Sequence, residues 1–180
     1  MKIKLKTFWE ELKLRFRVIR ETGAWIGGYR GETTPVGRLN AKIIRSNGEI
    51  DDLGLISTKV VTTAGVNYIV DAFQNTVEVE NMKYHDSGTG VTAENVADTT
   101  METAYGGARA TGTTTEGASA NIYRTVGTIS YTSTLAITEH GIFSASTSGT
   151  LLDRSVFTAI NVVNGDSIEF TYELTFPAGS

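Results

Sequence analysis

An antiparallel all-β fold, a sandwich or a jelly-roll-like barrel with one short helix, is what this sequence predicts, and three observations carry that expectation. Threonine is abundant (27 residues) and accompanied by 19 Gly but only 2 Pro; Thr suits the pleated surface of a sheet and Gly its turns. Apolar and polar residues alternate with period two over Ile168–Phe176, the pattern of a strand with one buried face. Turn signals recur through the second half at the short spacing of antiparallel strands, without the intervening helices that a parallel α/β fold requires.

Taken in order, the elements divide the chain in two. Residues 1–37 form a basic, aromatic-rich arm and residues 38–180 the sandwich body. In the arm, Thr7-Phe8-Trp9-Glu10 fits a capping box, Phe8, Leu12, Phe16 and Ile19 fall at helical spacing, and Gly23 suits a stop. An amphipathic helix is therefore expected. Leu12-Lys13-Leu14-Arg15-Phe16-Arg17-Val18 also alternates with period two, so a strand added to a partner's sheet edge is the alternative. Residues 22–37 read as an extended glycine-rich linker anchored by Trp25 and Tyr29.

In the body, Arg38–Arg45 and Ile50–Val61 flank Asn47-Gly48, a tight-hairpin signal. Thr62-Thr63 is expected to cap a short helix that buries Val66, Ile69, Val70 and Phe73 on one face. A brief strand at Met82–His85 precedes a polar stretch, 86–119, long enough to hold an edge strand or an exposed functional loop. Further strands are expected at Asn121–Tyr131, Leu135–Thr138, Gly141–Ser144 and Leu151–Val163. The last, Ser167–Phe176, follows the Asn164-Gly165-Asp166 turn and is expected to form a hairpin with Leu151–Val163.

Charge follows the same division. Residues 1–45 hold 11 of the 16 Lys and Arg against four Glu, about +7, and residues 46–180 hold 5 basic against 16 acidic groups, about −11. A basic arm on an acidic body implies that the arm meets another surface. Its aromatic and aliphatic residues point to protein, and Phe8, Trp9, Leu12, Arg15, Phe16, Arg17, Ile19, Trp25 and Tyr29 are the candidate contact residues. Direct nucleic-acid contact is not expected, because an acidic body repels phosphates. No apolar run approaches the ~20 residues of a membrane-spanning helix, and no secretory leader follows the basic MKIKLK start.

Catalytic and metal signals are weak. With 0 Cys there is no thiolate ligand or thiol nucleophile. His85 beside Asp86 and His140 beside Glu139 lack the spacing that gives a metal two ligands from one element, and read as hydrogen-bonded strand-end histidines. Asp86-Ser87-Gly88 matches one half of an aspartic-protease dyad without the second carboxylate. Gly88-Thr89-Gly90 lacks the Lys-Ser/Thr of a phosphate loop and reads as turn glycines. No catalytic, metal or cofactor residue is assigned, and an enzyme is not expected.

From about residue 60 onward the chain resembles small virion proteins of tailed bacteriophages. The resemblance is carried by Lys83-Tyr84-His85 with Gly88-Thr89-Gly90, by Ala136–Phe143, by Gly149–Phe157 and by Gly165–Tyr172. A Thr-Glu-x-Gly-Ile-Phe segment followed by a Leu-Leu-Asp-Arg strand is similar to stretches of tail-fibre and collar proteins. It implies a structural protein with no catalytic residues to transfer. The role expected is a capsid cement (decoration) protein, trimeric, contacting the major capsid protein and neighbouring copies of itself on the virion surface. A tail, collar or head–tail adaptor component is the alternative. A receptor- or glycan-binding module using loop 86–119 is a third reading.

Overall fold

The computed structural model describes residues 35–58, 60–78 and 82–177. The arm, with its helix-or-strand question and all nine candidate contact residues from Phe8 to Tyr29, lies outside the described residues. Strand accounts for 50% of the described residues and helix for 8%, which places the fold in the all-β class. Among the described residues nine strands, β1 (Val36–Ile44), β2 (Ile50–Ser57), β3 (Tyr84–Gly88), β4 (Ala110–Thr111), β5 (Thr113–Glu116), β6 (Ile122–Ser130), β7 (Leu135–Phe143), β8 (Leu151–Val162) and β9 (Ser167–Thr175), accompany one helix, α1 (Thr63–Phe73). They form a five-stranded sheet in the order β2-β1-β9-β6-β5 and a four-stranded sheet in the order β4-β3-β7-β8. Every pairing is antiparallel.

The period-two pattern of the last strand is realised in β9. Ile168, Phe170, Tyr172 and Leu174 are buried while their neighbours are half-exposed, and β9 sits between β1 and β6 at the centre of its sheet. With Leu39, Ala41 and Ile43 of β1 they form one wall of the core, facing Ile137 and Ile142 of β7. The β1–β2 connection is the expected hairpin. Gly48 donates its N–H to the Arg45 carbonyl at 2.9 Å, Arg45 donates to the Glu49 carbonyl at 2.8 Å, and Gly48 takes the left-handed φ of +89° that glycine adopts without steric cost.

Four expectations are corrected. Leu135–Thr138 and Gly141–Ser144 are one strand, β7, because the intervening Glu139 and His140 are buried with partners and do not form a turn. β2 ends at Ser57, and Val61 makes only an isolated bridge to Asp153. Leu151–Val163 is not the hairpin partner of the last strand. β8 pairs with β7 in one sheet and β9 with β1 and β6 in the other, so Asn164-Gly165-Asp166 crosses between sheets. The buried Asp166 carboxylate sets that crossing: it accepts N–H groups from Ser46 at 2.9 Å and Val163 at 3.1 Å, and Arg45 Nη1–H at 3.0 Å. These bonds, the backbone pair first and then Arg45, hold its pKa below the usual value.

The fourth correction concerns α1. Thr62 caps it as expected, accepting the Gly65 N–H at 3.0 Å while its hydroxyl donates to the Leu151 carbonyl at 2.6 Å. Of the face predicted to be buried, only Ile69 packs on the core, together with Tyr68; Val66, Val70 and Phe73 are exposed. Gly65 decides the orientation. A Cβ there would lie 2.6 Å from the Leu152 carbonyl oxygen and 2.7 Å from its Cα, so the glycine side is the one that can lie against β8.

Gly65→Val is therefore expected to force α1 off β8 and to lower stability by about 1–3 kcal/mol, the range of overpacking substitutions. Val66→Ala, one residue along on the exposed side, is expected to stay within about 0.5 kcal/mol of the parent. Thermal melts followed by circular dichroism distinguish the two.

Candidate functional site

The stretch 89–109 lies over the outer face of β7 and β8, and two side chains from those strands hold it there. Glu139, from β7, is 0% exposed and Arg154, from β8, is 3% exposed, and Arg154 Nε donates to Glu139 Oε2 at 2.9 Å. Every remaining acceptor site faces the loop. Glu139 Oε1 accepts N–H groups from Gly90 at 3.1 Å and Thr103 at 2.7 Å, and Oε2 accepts from Glu102 at 3.1 Å. The other guanidinium hydrogens reach Asp98 Oδ2 at 3.0 Å and the Thr92 carbonyl at 3.2 Å. Burial alone would lower the Arg154 pKa, but the Asp98 and Glu139 carboxylates outweigh it and hold the group charged.

Gly88 and Gly90 serve this lattice and are not the turn glycines expected. A Cβ on Gly88 would sit 2.2 Å from the Thr103 carbonyl oxygen, and one on Gly90 would sit 2.5 Å from Glu139 Oε1. Both exist so that backbone can approach a buried carboxylate. Beside them, Arg109 donates to Asp86 Oδ2 at 3.2 Å and to the Ala145 carbonyl at 2.9 Å, and also bonds the Ser148 carbonyl. Its guanidinium lies 3.4 Å from the centre of the Phe143 ring, a cation–π contact that pins the β7–β8 turn. Burial raises the Asp86 pKa, opposed by Arg109. Asp86 is thus one carboxylate in an ion pair with Arg109.

His85 is the second residue of β3, near its end as expected, whereas His140 lies inside β7. His85 and His140 project between the sheets, 0% and 1% exposed, with His85 Nδ1 3.0 Å from His140 Nε2 and His85 Nε2 3.1 Å from the Thr125 hydroxyl. One imidazole must donate and the other accept, so the accepting ring is neutral, and burial disfavours charge on its partner. Burial depresses the His85 pKa to about 3, and burial together with its neighbour pushes His140 well below the ordinary value. Gly112 and Gly127 leave room for the His85 ring, with a Cβ at either approaching within 2.8 or 2.5 Å of it. On the same inner side Asp153 accepts from Ser155 at 3.1 Å and Tyr172 at 3.3 Å, and burial raises its pKa well above the usual range. No group of three or more potential ligands that could hold a metal occurs among the described residues.

The histidines, Glu139, Asp153 and Arg154 are thus enclosed, His85 bonded to His140, Arg154 to Glu139, and Asp153 to Ser155 and Tyr172. Elsewhere among the described residues lies an accessible cleft of about 470 Å³ between β2 and β8, lined by Arg45, Leu53, Leu55, Ile56, Phe157 and Ile160. Sequence reasoning did not find the Glu139–Arg154 pair, although a single arginine inside the apolar run Leu151–Phe157 was its signal. Nor did it find the cleft, which needs two strands distant in the chain.

Two outcomes follow from this geometry. Glu139→Gln and Arg154→Met are each expected to cost about 3–5 kcal/mol, the range for removing one partner of a buried pair. The double variant is expected to lose less than the sum of the two, measured by denaturant unfolding. The neutral histidines also make stability fall with acid. The unfolded chain takes up their protons as pH drops through about 6.5, whereas the folded chain resists until about 3 for His85. The loss is therefore roughly 1.4 kcal/mol per pH unit per histidine within that window. Asp153, whose folded pKa is raised, acts in the opposite sense above about 3.8. A His85→Gln variant is expected to show a shallower decline of melting temperature between pH 6.5 and 4.5.

No protein-family model, curated protein or solved structure matches this chain.

Proposed function

We propose that this chain is a structural protein of a tailed-bacteriophage virion, a capsid cement protein that braces the major capsid protein lattice as a trimer, with residues 1–37 as its attachment arm. The observation that carries the reading is the division of labour in the chain: an arm of about +7 rich in aromatics on a body of about −11. The body supports it in a second way. The segments that carry the virion resemblance, Ala136–Phe143 and Gly149–Phe157, pair as β7 and β8. Their polar residues brace the body internally, Glu139 against Arg154 and His140 against His85. A part under mechanical load benefits from buried bonds, of which the Glu139–Arg154 pair is charge-assisted.

In this reading the arm supplies binding energy and the body supplies stiffness. Burial of each large side chain is worth roughly 1.5–3 kcal/mol, and ordering the arm takes back part of it. Several such contacts among Phe8, Trp9, Leu12, Phe16 and Ile19 still shift binding by orders of magnitude, at about 1.4 kcal/mol per tenfold. The alternative position, in the tail, collar or head–tail adaptor, rests on the Thr138–Phe143 segment.

Copy number tests position: on the order of hundreds per particle for a lattice-wide cement protein, against a single ring's worth for a tail or collar component. Deleting residues 1–37 tests mechanism. The expected result is a cooperative melt together with loss of particle binding. Normal coating by the truncated chain would place the attachment surface on the sandwich and overturn the role given to the arm.

A further inference from the structure

Two dipeptides in the chain read Asn-Gly, Asn47-Gly48 and Asn164-Gly165. Both lie in exposed turns, with the glycine at a left-handed φ of +89° and +90°. They meet at one end of the sandwich, where Asp166 accepts the Ser46 N–H at 2.9 Å and Arg45 Nη1–H at 3.0 Å. Such a dipeptide is chemically reactive: the main-chain nitrogen that follows an asparagine can attack the side-chain amide carbon, and glycine, having no Cβ, leaves that approach unhindered. By sequence the two sites are equivalent. Their hydrogen bonds are not.

At Asn47 the side-chain amide is held at both of its polar atoms. Oδ1 accepts the Glu49 main-chain N–H at 3.0 Å, and Nδ2 donates to Glu49 Oε2 at 2.8 Å. The first bond closes a ring that contains both Asn47 Cγ and the Gly48 nitrogen, so electrophile and nucleophile are kept within one turn. The same N–H polarises the amide and meets the negative charge that develops on Oδ1 during attack. The Gly48 N–H is engaged only inside the turn, by the Arg45 carbonyl at 2.9 Å. Among the described residues nothing lies within 4 Å of a Cβ built on Gly48, which leaves room for a cyclic imide.

At Asn164 the N–H in the corresponding position, that of Asp166, is given to the Val163 carbonyl at 3.0 Å. The Gly165 N–H is tied to a distant part of the chain, the Tyr131 carbonyl, at 2.9 Å. A Cβ on Gly165 would lie 3.1 Å from Ser46 Cβ, so this glycine is packed against the hairpin.

We propose that Asn47 is a site of spontaneous self-modification, while the fold protects Asn164. The Gly48 nitrogen bonds to Asn47 Cγ as a proton passes from it through solvent water to the side-chain nitrogen, which leaves as ammonia. Water then opens the imide at either carbonyl, giving an aspartyl or an isoaspartyl residue. Either product adds a carboxylate near Glu49 and Asp51. The isoaspartyl form also lengthens the main chain by one carbon beside Ser46, whose N–H is a ligand of Asp166. Modification therefore loosens the β1–β2 hairpin from the β8–β9 crossing. The inference is independent of the virion reading.

The full-length chain is aged in mildly alkaline buffer, folded and in parallel unfolded in urea, and peptide mapping by mass spectrometry scores conversion at each asparagine. Dividing each site's folded rate by its own unfolded rate removes effects of local sequence. That ratio is expected to be at least about tenfold higher at Asn47 than at Asn164, a modest share of what one well-placed N–H donor contributes to an oxyanion. Equal ratios, a higher ratio at Asn164, or an unmodified Asn47 after the unfolded chain has converted would overturn the proposal. In the purified isoaspartyl form the Ser46 amide is expected to exchange its hydrogen at least about tenfold faster than in the parent, the signature of local opening. Unchanged exchange there would overturn the link to the crossing.

Discussion

The contact between Glu139 and Arg154 is the constraint on which the body depends. A carboxylate and a guanidinium this deeply enclosed cost several kcal/mol each to desolvate, and they are tolerated because each Glu139 oxygen accepts two hydrogen bonds and each Arg154 nitrogen donates at least one. Apart from the pair itself, the partners come from one stretch of chain, the amides of Gly90, Glu102 and Thr103, the carbonyl of Thr92 and the carboxylates of Asp98 and Glu102. Satisfying the ion pair and folding the loop onto the sheet are therefore the same event. Met101, carried by that loop, joins Phe143 and Leu151 in a small second core, which adds apolar burial to the polar anchor.

The consequence for the four-stranded sheet is burial on both faces. From Glu139 to Phe143 and from Leu151 to Ser155 every residue is buried, where a one-faced sheet would alternate. The inner face of these runs is polar as well. His140 meets His85, Asp153 meets Tyr172 of the opposite sheet, and Ser87 meets the Tyr131 hydroxyl at 2.9 Å. Such pairs fix which residue faces which, since a slip of one position would turn each partner to the other face. The packing of rings continues the same line, with His140 against Phe170 at 4.4 Å between centroids.

These internal demands leave the chemistry of contact to the edges. The β4–β5 side is joined through Gly112, whereas the β2–β8 side carries, among the described residues, a strand edge paired on one side only, together with an apolar cleft and acidic neighbours.

The sequence by itself determined the all-β class, the antiparallel pairing, the Gly48 hairpin, the Thr62 cap and the buried face of β9. Each of these is local: a period of two, a turn residue at its required φ, a hydroxyl within reach of a free amide. Only the tertiary structure decided the rest. Val66, Val70 and Phe73 looked like a buried face, but the missing side chain of Gly65 was what could approach Leu152. Asn164-Gly165-Asp166 looked like a hairpin turn, but a buried carboxylate tied it to Ser46 and Arg45, more than a hundred residues earlier. His85 and His140 looked like separate strand-end residues, and Glu139 and Arg154 lay in two segments that gave neither of them a role. Local pattern records how a residue treats its chain neighbours; what a buried charge or a glycine is for depends on the atoms that arrive opposite it, and those come from distant parts of the chain.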